Sequence, residues 1–279
     1  MRAIQKLKIY QSLWAMELRS PHAPERTHAE CFRKVAEAGF DGMCLDPSVS
    51  EIPGMRALRS LYKEFGLGCM INAFPASEDD MAPLLDFAVE MDACMVNVIS
   101  GVMPIRPEDA VPVVQRWMRE AQQRDMPLLF ETHRDSLLND LYYTLQLMEL
   151  VPDMRLCADL SHFVVDREMR NPISVRDQQY VSSILARSDC FQGRVASREQ
   201  VQIQINFPQH QEWVKIFKGW WREGMQGWRA RSADDAELVF LCELGPPPYA
   251  ITDGEQRELS DRWDEALQIR QWVEDIWAE

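Results

Sequence analysis

Short apolar or β-branched runs alternate along the chain with segments whose apolar positions recur every three or four residues. The runs are KIYQSLW (8–14), FDGMCLD (40–46), GLGCMIN (66–72), ACMVNVI (93–99), MPLLFET (126–132), MRLCADL (154–160), CFQGRVA (190–196) and ELVFLCE (237–243). Each reads as a strand buried on both faces, as in a parallel sheet whose neighbours are joined by crossover helices. Helical stripes fill the intervals: Ala29, Phe32 and Val35; Met55, Leu58, Leu61 and Phe65; Met81, Leu84, Leu85 and Ala88; Leu137, Leu138, Leu141, Leu145 and Met148. A sixth helix is placed around 174–188, and Leu259, Trp263, Ala266, Leu267 and Trp277 mark a last helix that closes the ring. Boundary signals agree: Gly39 and Gly66 stop the first two helices, Ser77 with Asp80 forms a capping pair, and Pro107 with Glu108 and Asp109 suits a first turn.

Eight strand–helix pairs without a break in composition predict a closed (β/α)8 TIM barrel occupying residues 1–279 as one domain. An open doubly wound sheet is disfavoured because no G-x-G-x-x-G loop occurs. The interval after the seventh strand is the longest and carries Trp213, Trp220, Trp221 and Trp228, so an extra helical cover is expected there. These tryptophans suit core or interface better than a carbohydrate platform. The alternation Gln200, Gln202, Gln204, Asn206 just before them suits either an arm over the mouth or an edge contact with another subunit.

Charge narrows the function. Thirty Lys+Arg against 44 Asp+Glu leave a net −14, a field that repels nucleic acid and anionic membrane surfaces. No apolar run approaches the ~18 residues of a membrane span, and the start MRAIQKLKIYQ has no apolar leader, so a cytoplasmic protein is expected. Seven Cys without a C-x-x-C spacing, five of them (Cys44, Cys69, Cys94, Cys157, Cys242) within apolar runs, read as buried, reduced thiols.

In such a barrel the chemistry sits at the C-terminal strand ends. Four late strands end in polar groups: Glu131 and His133 on the fifth, Asp159 followed by His162 on the sixth, Gln192 and Arg194 on the seventh, and Glu243 on the eighth. Three carboxylates converging near the axis repel by about 4 kcal/mol per close pair at an effective dielectric near 20. A divalent cation, with the Gln192 amide oxygen as a neutral fourth donor, relieves this. The alternative is raised pKa values and shared protons. Oxygen-rich ligation favours Mn²⁺ or Mg²⁺ over Zn²⁺, which stays possible.

The order Glu, Asp-x-x-His, polar ligand, Glu on the last four strands resembles the xylose-isomerase-like TIM-barrel superfamily over nearly the whole chain. The phrases ETHR, DLSH and ELGPPPY resemble a bacterial branch of sugar isomerases and epimerases. The resemblance implies metal ligation by Glu131, Asp159, the seventh-strand residue and Glu243, His162 contacting a substrate oxygen, and a homo-oligomer. One position departs: ketose epimerases of the superfamily usually carry His on the seventh strand. Arg194 cannot accept from a cation, so Gln192 is the ligand there, and some dehydratases of the superfamily resemble this chain in using an amide.

The reaction implied is enediolate chemistry on a small carbohydrate-like molecule, with Glu131 and Glu243 as an acid–base pair. Returning the proton epimerises or isomerises a sugar or polyol derivative. Expelling a β-hydroxyl instead makes a dehydratase of a cyclic hydroxy-ketone such as dehydroshikimate or a keto-sugar. A non-enzymatic barrel serving as a binding subunit is the third reading. Around this centre, His162 either polarises a carbonyl or supports Asp159, and His133 either orients Glu131 or bonds backbone. Arg194 either neutralises a substrate anion or forms a salt bridge within the acidic site. Trp14 is a candidate sugar platform, and His22 and His28 belong to a lid or to a solvated loop. Pro246, Pro247 and Pro248 stiffen the loop behind Glu243.

Overall fold

A computed structural model of the chain describes residues 5–18 and 24–279. Its strands are β1 (Lys6–Ser12), β2 (Gly42–Leu45), β3 (Gly68–Ala73), β4 (Ala93–Val98), β5 (Leu128–Glu131), β6 (Leu156–Ala158), β7 (Ser188–Gln192) and β8 (Glu237–Cys242). They form one closed barrel in chain order, parallel throughout, with β8 returning to β1 in register from Lys6↔Glu237 to Gln11↔Cys242. The helices are α1 (His28–Glu37), α2 (Ile52–Met55), α3 (Arg59–Phe65), α4 (Met81–Glu90), α5 (Pro107–Gln122), α6 (Leu141–Leu150), α7 (Leu160–Asp166), α8 (Val175–Leu185), α9 (Gln211–Arg231) and α10 (Arg262–Ala278).

The boundaries follow from the sequence signals. Gly66 ends α3 in the left-handed region at φ 65°, and Gly39 follows α1 at φ 79°, conformations open to glycine without strain. Ser77 and Asp80 do form a capping box before α4, and Pro107 is the first residue of α5. The second stripe is broken into α2, a short 3-10 turn and α3, and Leu259 lies ahead of α10, where it is exposed. The long interval after β7 consists of a loop (193–207), a 3-10 turn (Pro208–His210) and the 21-residue α9, whose four tryptophans are all buried.

Strand alternation divides the core. Ile9, Met43, Ile71, Val96, Phe130, Leu156, Phe191 and Phe240 pack outward in the cluster shared with the helices. Tyr10, Cys44, Met70, Met95, Leu129, Cys157, Cys190, Val239 and Leu241 form a separate cluster that fills the barrel interior. Tyr10 needs bare backbone beside it. A Cβ on Gly68 would stand 2.1 Å from its hydroxyl oxygen, and one on Gly42 2.4 Å from its ring. The cysteines are free, and Cys94 departs from expectation: it sits near the start of β4, at the barrel floor, and is exposed. Among the described residues no helix is long and apolar enough to cross a membrane.

Candidate metal and active site at the barrel mouth

One pleat beyond the interior apolar layer, the strands carry polar side chains. Cys44 is followed two residues on by Asp46, Met70 by Asn72, Met95 by Asn97, Leu129 by Glu131, Cys157 by Asp159, Cys190 by Gln192 and Leu241 by Glu243. The period of two that points one residue inward points the next polar one inward as well, so seven strands contribute to one ring. Glu131, Asp159, Gln192 and Glu243 are thus brought together as the sequence implies. Asp46, Asn72 and Asn97 join them and were not singled out.

The ring is cross-linked. Asn97 Nδ2 donates to Glu131 Oε2 and, at 2.9 Å, to Asn72 Oδ1. Asn72 Nδ2 in turn donates to Asp46 Oδ1 (2.8 Å) and Glu243 Oε1 (3.0 Å). Gln192 Nε2 donates to Glu131 Oε2 at 2.6 Å. Asp159 caps α7, its Oδ1 accepting from Ser161 N (3.0 Å) and Oγ (2.5 Å), while Thr132 Oγ1 donates to its carbonyl oxygen.

Arg194, only 1% exposed, spans the far side of the ring. Its Nη1 lies 3.0 Å from Asp159 Oδ2, its Nη2 donates to Glu243 Oε2 at 2.9 Å, and its Nε donates to the Glu243 carbonyl at 2.9 Å. Of the two roles open to Arg194, these are the ion pairs within the acidic site. His162 is fully buried, with Nε2 3.3 Å from Asp159 Oδ2 and 3.1 Å from Arg194 Nη1. His133 bonds the Arg134 carbonyl through Nδ1 and lays its ring against His162 with centroids 3.9 Å apart.

Burial sets the titration of these groups, modified by charge. Desolvation, then the neighbouring Glu243, push the Glu131 and Asp46 carboxyls well above the usual range. Glu243 rises to about 7, burial outweighing the opposing pull of Arg194. Asp159 is held below the usual carboxylate range, because Arg194 and His162 overcome the upward push of burial. Burial, then His162, lower His133 to about 3, and burial likewise lowers His162, so both imidazoles are neutral near pH 7.

The donor set fits a divalent cation. Ligand oxygens of Glu131, Asp159 and Glu243 all lie within 4.8 Å of one another, and Glu131, His133 and His162 satisfy the same condition. Glu131 Oε1 and Gln192 Oε1 are buried without a hydrogen-bond partner, and Asp159 Oδ2 accepts no well-directed hydrogen bond despite the nearby guanidinium. Buried oxygens left open in this way are donors that a cation could satisfy.

Above the ring lies a cavity of about 490 Å³, lined by Trp14, Asp46, Phe74, Ile99, His133, Arg194, Glu243 and Tyr249 among others. Trp14, in a 3-10 turn just after β1, meets Tyr249 edge-on at 5.2 Å, and Tyr249 faces the Arg194 guanidinium at 4.9 Å. His28 is the exposed first residue of α1 and does not line the cavity. His22 lies outside the described residues. Gln202 and Gln204 are buried, so the glutamine-rich segment is part of the packed loop.

Among solved structures, the chain is similar to a xylose isomerase-like TIM barrel protein from Mycobacterium smegmatis in complex with magnesium, at 15% identity and TM-score 0.63 over 97% of each chain. A D-allulose 3-epimerase from Methylomonas sp. aligns at 15% identity and TM-score 0.64 over 99% of this chain and 100% of that one. A probable 3-DHS dehydratase from Bacillus anthracis aligns at 13% identity and TM-score 0.58 over 94% and 97%. No protein-family model and no curated protein matches the sequence. The fold is that of the xylose isomerase-like (β/α)8 barrels.

Proposed function

We propose that the chain is a divalent-metal-dependent isomerase or epimerase of a sugar or polyol derivative. The observation that carries this reading is the convergence of three strand-end carboxylates within 4.8 Å, beside buried, unpartnered oxygens of Glu131 and Gln192. Glu131, Asp159, Gln192 and Glu243 would hold the ion, Mn²⁺ or Mg²⁺ by the hardness of the donors. When bound, it supplies Lewis acidity to a carbonyl oxygen and so acidifies the adjacent C–H.

The chain's own groups supply the proton transfers. Glu243 lines the cavity and, with a pKa pushed up to about 7, can take or give a proton near neutrality. Glu131 is its partner in the acid–base pair, oriented by Asn97 and Gln192. His162, fully buried with Nε2 3.3 Å from Asp159 Oδ2, acts as the support of Asp159 and not as a substrate contact. His133, Arg194 and Trp14 wall the cavity, and the Trp14 ring suits the apolar side of a sugar ring.

A dehydratase of a cyclic hydroxy-ketone is the second reading, favoured by the Gln192 amide where an imidazole would otherwise serve, and by the dehydratase among the fold neighbours. Elemental analysis of protein purified without chelators, followed by turnover with added Mn²⁺ or Mg²⁺ in deuterated water on ketoses, inososes and dehydroshikimate, tests both. Carbon-bound deuterium without loss of water supports the epimerase or isomerase, and loss of water the dehydratase. Absence of stoichiometric metal together with absence of turnover even with metal added would leave a binding barrel.

A further inference from the structure

The carboxylates of the ring are not equally available to an incoming ion. Asp159 Oδ1 is committed to Ser161 N and Oγ, and Glu243 Oε1 to Asn72 Nδ2. Each of these carboxylates has one oxygen left, and in both cases Arg194 stands against it, at 3.0 and 2.9 Å. By contrast, Glu131 Oε1 and Gln192 Oε1 have neither a hydrogen bond nor an ion pair, whereas Asp159 Oδ2, although it accepts no directed hydrogen bond, is ion-paired to Arg194 and lies 3.3 Å from His162 Nε2. A divalent ion therefore meets two uncommitted oxygens and two that already face the charge of a guanidinium, which is itself tethered by Nε to the Glu243 carbonyl and backed by the Tyr249 ring.

We propose that Arg194 is a built-in counter-cation that competes with the divalent ion for Asp159 and Glu243. It holds the two strand ends together in the metal-free protein and makes the metal weakly bound and exchangeable. The inference rests on the metal-site reading above. Its physical basis is that the fork of a guanidinium matches two carboxylate oxygens at once, while its fixed positive charge opposes a second cation at the same atoms. Removing the side chain frees both oxygens and removes the repulsion, at the expense of leaving two buried carboxylates unpaired when no metal is present.

Calorimetric titration of MnCl₂ into the chelator-treated, full-length chain tests this, with melting temperatures measured in parallel. Arg194→Met is expected to bind Mn²⁺ at least tenfold more tightly than the wild type. It should melt lower than wild type without metal and gain more on adding it. Arg194→Lys keeps one charge but loses the fork, so its affinity should fall in between; this variant carries the test if Arg194→Met does not fold. Arg134→Met removes a charge that also faces Tyr249, at 5.6 Å, but has no ion pair with these carboxylates, and should change the affinity less than threefold. Equal or weaker binding by Arg194→Met, or equal tightening by Arg134→Met, overturns the inference while wild-type binding keeps the metal site standing. If neither the wild type nor Arg194→Met binds Mn²⁺, both readings fall.

Discussion

Gln202 holds Gly245 by both ends of its amide: Nε2 donates to the Gly245 carbonyl at 3.0 Å, and the Gly245 N–H donates to Oε1 at 2.7 Å. The side chain imitates a neighbouring strand and fixes the backbone two residues beyond Glu243. Gln202→Ala leaves a buried N–H and C=O without partners, which costs about 2 kcal/mol. Urea denaturation should show that loss, and Mn²⁺ affinity should fall with it because Glu243 is no longer held in place.

Gly245 also has no room for a side chain. A Cβ there would stand 2.3 Å from Trp14 Cη2 and 2.9 Å from Tyr249 Cβ. Gly245→Ala should therefore push Trp14 off its edge contact with Tyr249 at a cost of about 1–3 kcal/mol. Shifted tryptophan fluorescence and a raised KM with a smaller change in kcat are the expected signatures.

Asp159→Asn takes one carboxylate from the buried Arg194 while leaving Ser161 an oxygen to donate to. Breaking a buried ion pair from one side costs about 3 kcal/mol, here limited by the surviving Glu243 contact. The variant should unfold at lower denaturant and fail to bind Mn²⁺ in calorimetry.

The metal-free protein should lose stability as pH rises through neutrality. Glu243 has a folded pKa of about 7 against an ordinary value of 4.5, so its contribution is complete below about pH 4.5 and lost as pH climbs through 7. Glu131 shifts in the same direction, whereas Asp159, lowered by Arg194 and His162, contributes above its ordinary value and loses this only in acid. Melting curves between about pH 5 and 8 should therefore slope downward for the chelated wild type and more shallowly for Glu243→Gln, the difference being on the order of 3 kcal/mol. Mn²⁺ affinity should rise over the same range, since the ion requires deprotonated ligands.

The strands and most of the ring could be read from the sequence because one periodicity governs both. Glu131, Asp159, Gln192 and Glu243 stood out as acids or amides closing apolar runs. Asp46 and Asn72 close the runs of β2 and β3 in the same way, and Asn97 lies two residues beyond the inward Met95. Attention to metal-capable groups on the late strands passed over them. Counting pairwise from each interior residue would have found all three. Cys94 misled because an apolar run does not show which of its ends meets solvent at the barrel floor. The burial of Gln202 was hidden for another reason: alternating polar residues look solvated until a backbone partner such as Gly245, far away in sequence, satisfies them.

The Tyr10 ring, seated against the bare backbones of Gly42 and Gly68 and surrounded by Met70, Met95 and Leu129, stoppers the barrel from below. On the function proposed above, reactant and product would therefore enter and leave on the opposite side of the barrel, through the cavity that Trp14 and Tyr249 line. A product still held in that cavity would keep the next reactant out.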